Sequence, residues 1–273
     1  KTQKREKDWI ELKADDNAEY DEYDEINLSE LEPLIALPSS PGKVVPVNDV
    51  IGKEIYQTYI GSSANPGLRD FAIAALIVDG KQTHDKVSFD INPTSRQILE
   101  NLIELKLLEK LIRAGARLHQ AGCNGCIGMG QAPATNKISL RTVPRNFPGR
   151  SGTKEDLVYL CSPETAAASA LKGEITDPRT LEMEYPVFKE PEEIKINTDM
   201  LVPPSESDEE VELEIGPNIA KLPDFNPLPD NIEGEVLLKV GDDISTDEIM
   251  PAGARILPFR SNIPEISKIY QKY

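Results

Sequence analysis

The sequence predicts a layered α/β domain, and two observations carry that expectation. Short β-prone runs at residues 55–60 and 86–91 alternate with longer stretches of helical periodicity. Those stretches carry wide apolar stripes of the kind that pack onto a sheet. A chain of 273 residues with 39% hydrophobic and 28% charged residues holds material for one ordinary core and part of a second.

Taken in order, residues 1–43 read as an acidic arm laid over a domain: the first forty hold 12 acids and 5 bases, and Pro38, Pro41 and Gly42 space its end. A globular pattern follows over residues 44–173. Within it the clearest helix is expected over 95–114, where Ile98, Leu99, Leu102, Ile103, Leu105, Leu108, Leu111 and Ile112 form the stripe. Pro93 and Ser95 suit its start and Gly115 its end. A second helix is expected over 163–172, with Ser162 as its cap and alanines that favour close packing. Residues 174–234 read as an extended, self-repelling linker, because nine of the 22 prolines sit there with 17 acids against 4 bases. An apolar run at 235–240 then opens a second unit over 235–273 that is expected to be incomplete. The sequence contains no internal repeat.

Charge and composition exclude some classes. A net charge of -17 argues against nucleic acid, which needs clustered Lys and Arg, although residues 41–173 are locally net +4 and suit an anionic small molecule. Nowhere do eighteen apolar residues run together, and the basic start is followed by no apolar region. The expectation is a soluble, cytoplasmic protein away from membranes. Three cysteines, two of them three positions apart, suit metal or redox chemistry in a reducing compartment better than a disulfide framework.

Three segments are equipped for chemistry. The turn Gly122-Cys123-Asn124-Gly125-Cys126-Ile127-Gly128 has the spacing that brings two thiolates to one centre, on a backbone able to wrap a bulky ligand. Zinc ribbons and dithiol redox sites share the spacing. A ribbon, however, needs a second pair, and Cys161, His84 and His119 do not supply one. Cys161 itself reads as a buried strand residue. After the turn, Arg145 and Arg150 flank a Pro148-Gly149 bend, and planar guanidinium groups suit bidentate binding of carboxylates. Finally, residues 58–67 read as a strand and a small polar turn.

Together and in this order, Ile60-Gly61-Ser62-Ser63-Ala64-Asn65, the Cys turn, Arg145-Asn146-Phe147-Pro148-Gly149-Arg150 and residues 241–253 resemble the third domain of the aconitase superfamily and the start of its mobile fourth domain. The resemblance covers about residues 26–273. It implies a hydro-lyase of the aconitate hydratase type, interconverting citrate and isocitrate, with isopropylmalate, homoaconitate or methylcitrate as alternative substrates. It also implies a [4Fe-4S] cluster acting as a Lewis acid. By position, Cys123 and Cys126 would be cluster ligands, Arg145 and Arg150 would bind a tricarboxylate substrate, Asp247 would join a catalytic network, and Arg260 would fall near a further substrate arginine.

The departures from the family pattern carry their own expectations. Ser63 stands where the family writes Cys in Gly-Ser-Cys-Thr-Asn, and a hydroxyl is far harder to deprotonate than a thiol, so a cluster here is expected to be labile or differently built. Pro144 and Met250 replace a common Asn and Ser. The family's first two domains, with their active-site histidines, have no counterpart here. The chain is therefore expected to be inactive alone and without its cluster, the missing domains being supplied in cis or by another subunit. A metal or redox module, or an RNA-binding module, is the reading from outside the enzyme class.

Overall fold

The structure is a computed structural model that describes residues 6–62, 66–206, 212–242, 244, 246–250 and 256–270. Seven strands form one sheet: β1 (Leu34–Ala36), β2 (Val44–Pro46), β3 (Gln57–Gly61), β4 (Ser88–Asn92), β5 (Arg117–Leu118), β6 (Ile138–Arg141) and β7 (Leu157–Cys161). Their order is β2-β1-β7-β6-β3-β4-β5. The five strands from β7 to β5 run parallel, and the hairpin β1-β2 is antiparallel at the β7 edge. The expected runs at 55–60 and 86–91 thus become the neighbours β3 and β4. The sheet itself begins at Leu34, inside the segment expected to be an arm. Trp9, Leu12 and Tyr23 before it stand exposed rather than lying on the domain, since dense acidic residues repel one another and keep the chain solvated.

Side chains alternate along these strands, so the register assigns each residue to a face. Thr58 and Ile60 of β3, Phe89 and Ile91 of β4, and Leu140 of β6 share one face. Helices cover it. Helix α1 (Leu68–Val78) lies beside α4 (Pro163–Lys172), and Ala72, Ala75, Ala166, Ala167 and Ala170, all fully buried, let the helices approach closely. As expected, α4 begins on Ser162, whose hydroxyl accepts from the Thr165 amide at 3.1 Å. Burying a residue such as Phe71 or Ile60 here stabilises by ~1.5–3 kcal/mol each.

The helix expected over 95–114 is two helices, α2 (Arg96–Glu104) and α3 (Leu107–Arg113), joined at Lys106 in the left-handed conformation with φ of 55°. Its start is as expected, Ser95 Oγ accepting from the Ile98 amide at 3.2 Å. The stripe was too wide for a single contact face. Breaking the helix turns Leu107 and Leu111 under α1 and leaves Ile103 and Ile112 in solvent.

The first part of the expected linker is tied down. Ile175 is buried, Asp177 pairs with Arg179, and the Asn101 side chain donates to Lys195 O at 2.9 Å and accepts from Lys195 N at 2.8 Å. Farther on, Val236, Leu237 and Leu238 lie exposed outside regular secondary structure. Residues 235–240 thus form no strand among the described residues, because no neighbouring strand there supplies backbone partners. Two helices follow, α5 (Thr246–Ile249) and α6 (Ile263–Tyr270), and in a short 3-10 turn between them Leu257 packs against Tyr59, Cys126, Ile127 and Val143. Among the described residues no helix is long and apolar enough to cross a membrane.

Candidate functional site

The second face of the sheet is polar and still buried. Gln57 and Tyr59 of β3, Ser88, Asp90 and Asn92 of β4, and Ser139 and Arg141 of β6 point away from the helices, under the loops that lead into and out of β6. Such groups stay inside only when their hydrogen bonds are met. Arg141, fully buried, donates from Nε to Ser139 Oγ (3.0 Å), from Nη1 to Gly125 O (2.8 Å), and from Nη2 to Gln57 Oε1 (2.8 Å) and Gln131 O. Its guanidinium carbon stands 5.1 Å from the Tyr59 ring centre. Burial lowers the Arg141 pKa to about 10, against the pull of Tyr59, Asp90 and Asp156, so it remains a cation at neutral pH.

Asp90 accepts from Ser88 Oγ at 2.9 Å and from Gln57 Nε2 at 3.1 Å, and pairs with His119 Nε2 at 3.0 Å. Gln131 Nε2 lies 3.3 Å from His119 Nδ1, which assigns the imidazole as an Nε2 donor to Asp90. Tyr59 donates to Asn92 Oδ1 at 2.6 Å, and Asn92 Nδ2 donates to Gln120 O at 2.6 Å, three residues before Cys123. This network supports the Cys turn from below.

The turn begins at the C-terminal end of β4, where Gly122 N donates to Pro93 O at 2.9 Å, and passes over Tyr59 of β3; open parallel sheets place their ligand sites at such strand ends. Two glycines are required there. A Cβ on Gly125 would stand 2.5 Å from the Tyr59 ring, and one on Gly128, whose φ is 82°, would collide with the backbone of Ser151. The second contact seats the Cys turn against the arginine loop. Cys123 is exposed and Cys126 buried; burial pushes the Cys126 thiol pKa up to about 11, with further upward pressure from its hydrogen bond to Cys123 and a smaller opposing effect of Arg150. Arg150 Nη1 donates to Cys126 O at 3.1 Å. Asp156, facing Arg141, is raised to about 6, chiefly by burial, while it accepts backbone hydrogen bonds from Val158 and Gly149.

Of the residues singled out in the sequence, Cys123, Cys126 and Arg150 come together. Arg145 sits on the same loop with its side chain exposed. Arg260 is exposed on the segment whose Leu257 reaches the Cys126 cluster. Ser63 and the side chain of Asp247 lie outside the described residues. Cys161 is in β7, half-buried as part of the core, and burial pushes its thiol pKa up.

The donor set can be tested against a three-thiolate cluster. Cys123 and Cys126 are in hydrogen-bond contact, but the third cysteine of the chain is Cys161 between two apolar clusters, and no group of three His, Cys, Asp or Glu among the described residues can hold a metal ion. The described residues supply two thiols of three and do not fit a [4Fe-4S] cluster by themselves.

Sequence reasoning passed over Arg141, Tyr59, Asp90, Asn92, His119 and Gln131. A signal for them existed in Ser88-Phe89-Asp90-Ile91-Asn92, which alternates strictly. Strands of parallel sheets are normally apolar on both faces, so alternation in one marks a buried polar face.

With this geometry the chain is a layered α/β domain. The model of the aconitase family (aconitate hydratase) matches residues 1–58 and 49–173, and the chain belongs to that family. It is 42% identical over 170 residues to a protein named 3-isopropylmalate dehydratase large subunit 1 from Methanopyrus kandleri, covering 62% of this chain and 40% of that protein. A 3-isopropylmalate dehydratase large subunit 2 from Archaeoglobus fulgidus is 36% identical over 176 residues, covering 64% and 42%. A methanogen homoaconitase large subunit from Methanocaldococcus jannaschii is 37% identical over 163 residues, covering 59% and 39%. The chain spans about two-fifths of the length of these relatives.

Proposed function

We propose that this chain is the Cys-turn domain of a hydro-lyase that adds and removes water on a hydroxy acid bearing two or three carboxylates. The observation that supports the reading is Arg150, held on the Cys126 carbonyl, with Arg145 five residues earlier on the same loop. Elimination of water demands that the substrate's hydroxyl and the neighbouring C–H be held in one orientation. Two guanidinium groups beside the turn suit that task, each able to take a carboxylate through paired N–H donors. In this reading Asp247 and Arg260 join the site from the C-terminal segment, and the remaining catalytic groups come from further domains or a second subunit. The names of the relatives favour isopropylmalate or homoaconitate as substrate class; the description of the family model favours citrate and isocitrate as the second reading.

The test is an assay of the full-length protein, reconstituted anaerobically with iron and sulfide, for formation of the unsaturated acid from isopropylmalate, homocitrate and citrate. Turnover of one of these supports the reading; a folded, iron-loaded protein that turns over none overturns it. The same preparation tests Ser63. Ser63→Cys is expected to raise the iron and sulfide retained per chain after desalting, because a third thiolate becomes available. Unchanged retention would remove Ser63 from the ligand positions.

A further inference from the structure

Arg141 has the largest fully buried side chain among the described residues. A guanidinium leaves water only where its donors are met, and here they are met in an uneven way. Ser139 and Gln57, its two side-chain acceptors, belong to the sheet and serve as anchors. The other two acceptors are backbone carbonyls, Gly125 O and Gln131 O, on either side of the segment that contains Cys126 and Ile127. Between these points Cys126 is only 2% exposed, although Cys123, three residues earlier, is open to solvent.

We propose that Arg141 is the positioning residue of the Cys turn: anchored on β6 and β3, its guanidinium clamps the carbonyls of Gly125 and Gln131 and so holds Cys126 down on Tyr59, within reach of Arg150. An apolar residue of similar length fills the same space but takes the guanidinium donors from both buried carbonyls, leaving Gly125 O with the Gly128 amide alone. Lysine keeps the charge but concentrates its donors on one nitrogen, so it cannot span both carbonyls while holding both anchors. Tyr59, stacked on the guanidinium, and Asp90, one register position away across β3, make the buried charge tolerable. The consequence for catalysis rests on the proposed function, whereas the placement of the turn can be read without any reaction.

The three cysteines provide that reading. In the reduced, metal-free full chain, alkylation by iodoacetamide is followed at each cysteine by mass spectrometry under native conditions. Cys123 is expected to react quickly and Cys126 and Cys161 slowly. In Arg141→Met the Cys126 rate should rise at least tenfold while Cys161, half-buried in β7 against the two apolar clusters, keeps its wild-type rate as the control for global opening. Arg141→Lys should give a smaller rise, again with Cys161 unchanged. The proposal is overturned if Cys126 stays as slow in Arg141→Met as in the wild type. It is equally overturned if Cys126 and Cys161 open together in both variants, which would make Arg141 a support of the whole core. A full-length protein that lacks hydro-lyase activity while Cys126 behaves as expected would sink the functional reading and leave the clamp standing.

Discussion

On one face of the sheet Ile60, Phe89 and Ile91 meet α1 and α4; on the other, one residue along each strand, Tyr59, Asp90, Asn92, Ser139 and Arg141 meet loops. The two sets are equally buried and held by different physics. Apolar packing is non-directional, so the helix face tolerates any side chains of the right volume and pattern. The polar face is a chain of directional contacts in which each group fixes the next, and its end product is the placement of Cys126 and Arg150. The difference teaches that this protein keeps its stability on one side of the sheet and its geometry on the other.

That division can be broken in graded ways. The largest effect is expected on the helix face: Phe71→Ala should cost about 3–5 kcal/mol in chemical denaturation, with the sheet and the Cys turn lost in one transition. On the polar face Asn92→Ala removes the acceptor of the Tyr59 hydroxyl and the shorter of two side-chain donors to Gln120 O, and a loss of about 2 kcal/mol is expected, together with faster alkylation of Cys126. A loss as large as that of Phe71→Ala would erase the distinction between the faces.

The smallest effect is a pH dependence. The Asp156 pKa is raised from 3.8 to about 6, so the folded state holds this proton more tightly than the unfolded chain. The stabilisation is therefore full below about pH 4 and is lost as pH rises through about 6. Asp156→Asn removes that loss. Since Asp156 is only half-buried, the wild type is expected to fall behind the variant by about 1 kcal/mol between pH 4 and pH 7, as read from melting curves. Parallel pH profiles would show that Asp156 titrates as it does in the unfolded chain.

How much of this was legible in the sequence follows the same division. Helix α4, its Ser162 cap and the strands β3 and β4 were readable because periodicity and capping are local signals. The break at Lys106 was not, because it depends on how much of the stripe α1 can cover, a tertiary quantity. The Cys turn and the arginine loop were found as motifs. Arg141 stood outside these motifs and His119 read as a histidine at the wrong spacing for zinc; their roles come from partners 29 and 84 positions away in sequence, His119–Asp90 and Arg141–Gln57.

The claim that the arginine loop exists to hold substrate carboxylates is tested most directly by Arg150→Lys in the reconstituted full-length protein. The expected result is a KM raised at least tenfold, about 1.4 kcal/mol of binding, with iron content unchanged and Cys126 as slow to alkylate as before. An unchanged KM, or a loss of iron in place of a loss of binding, would contradict it.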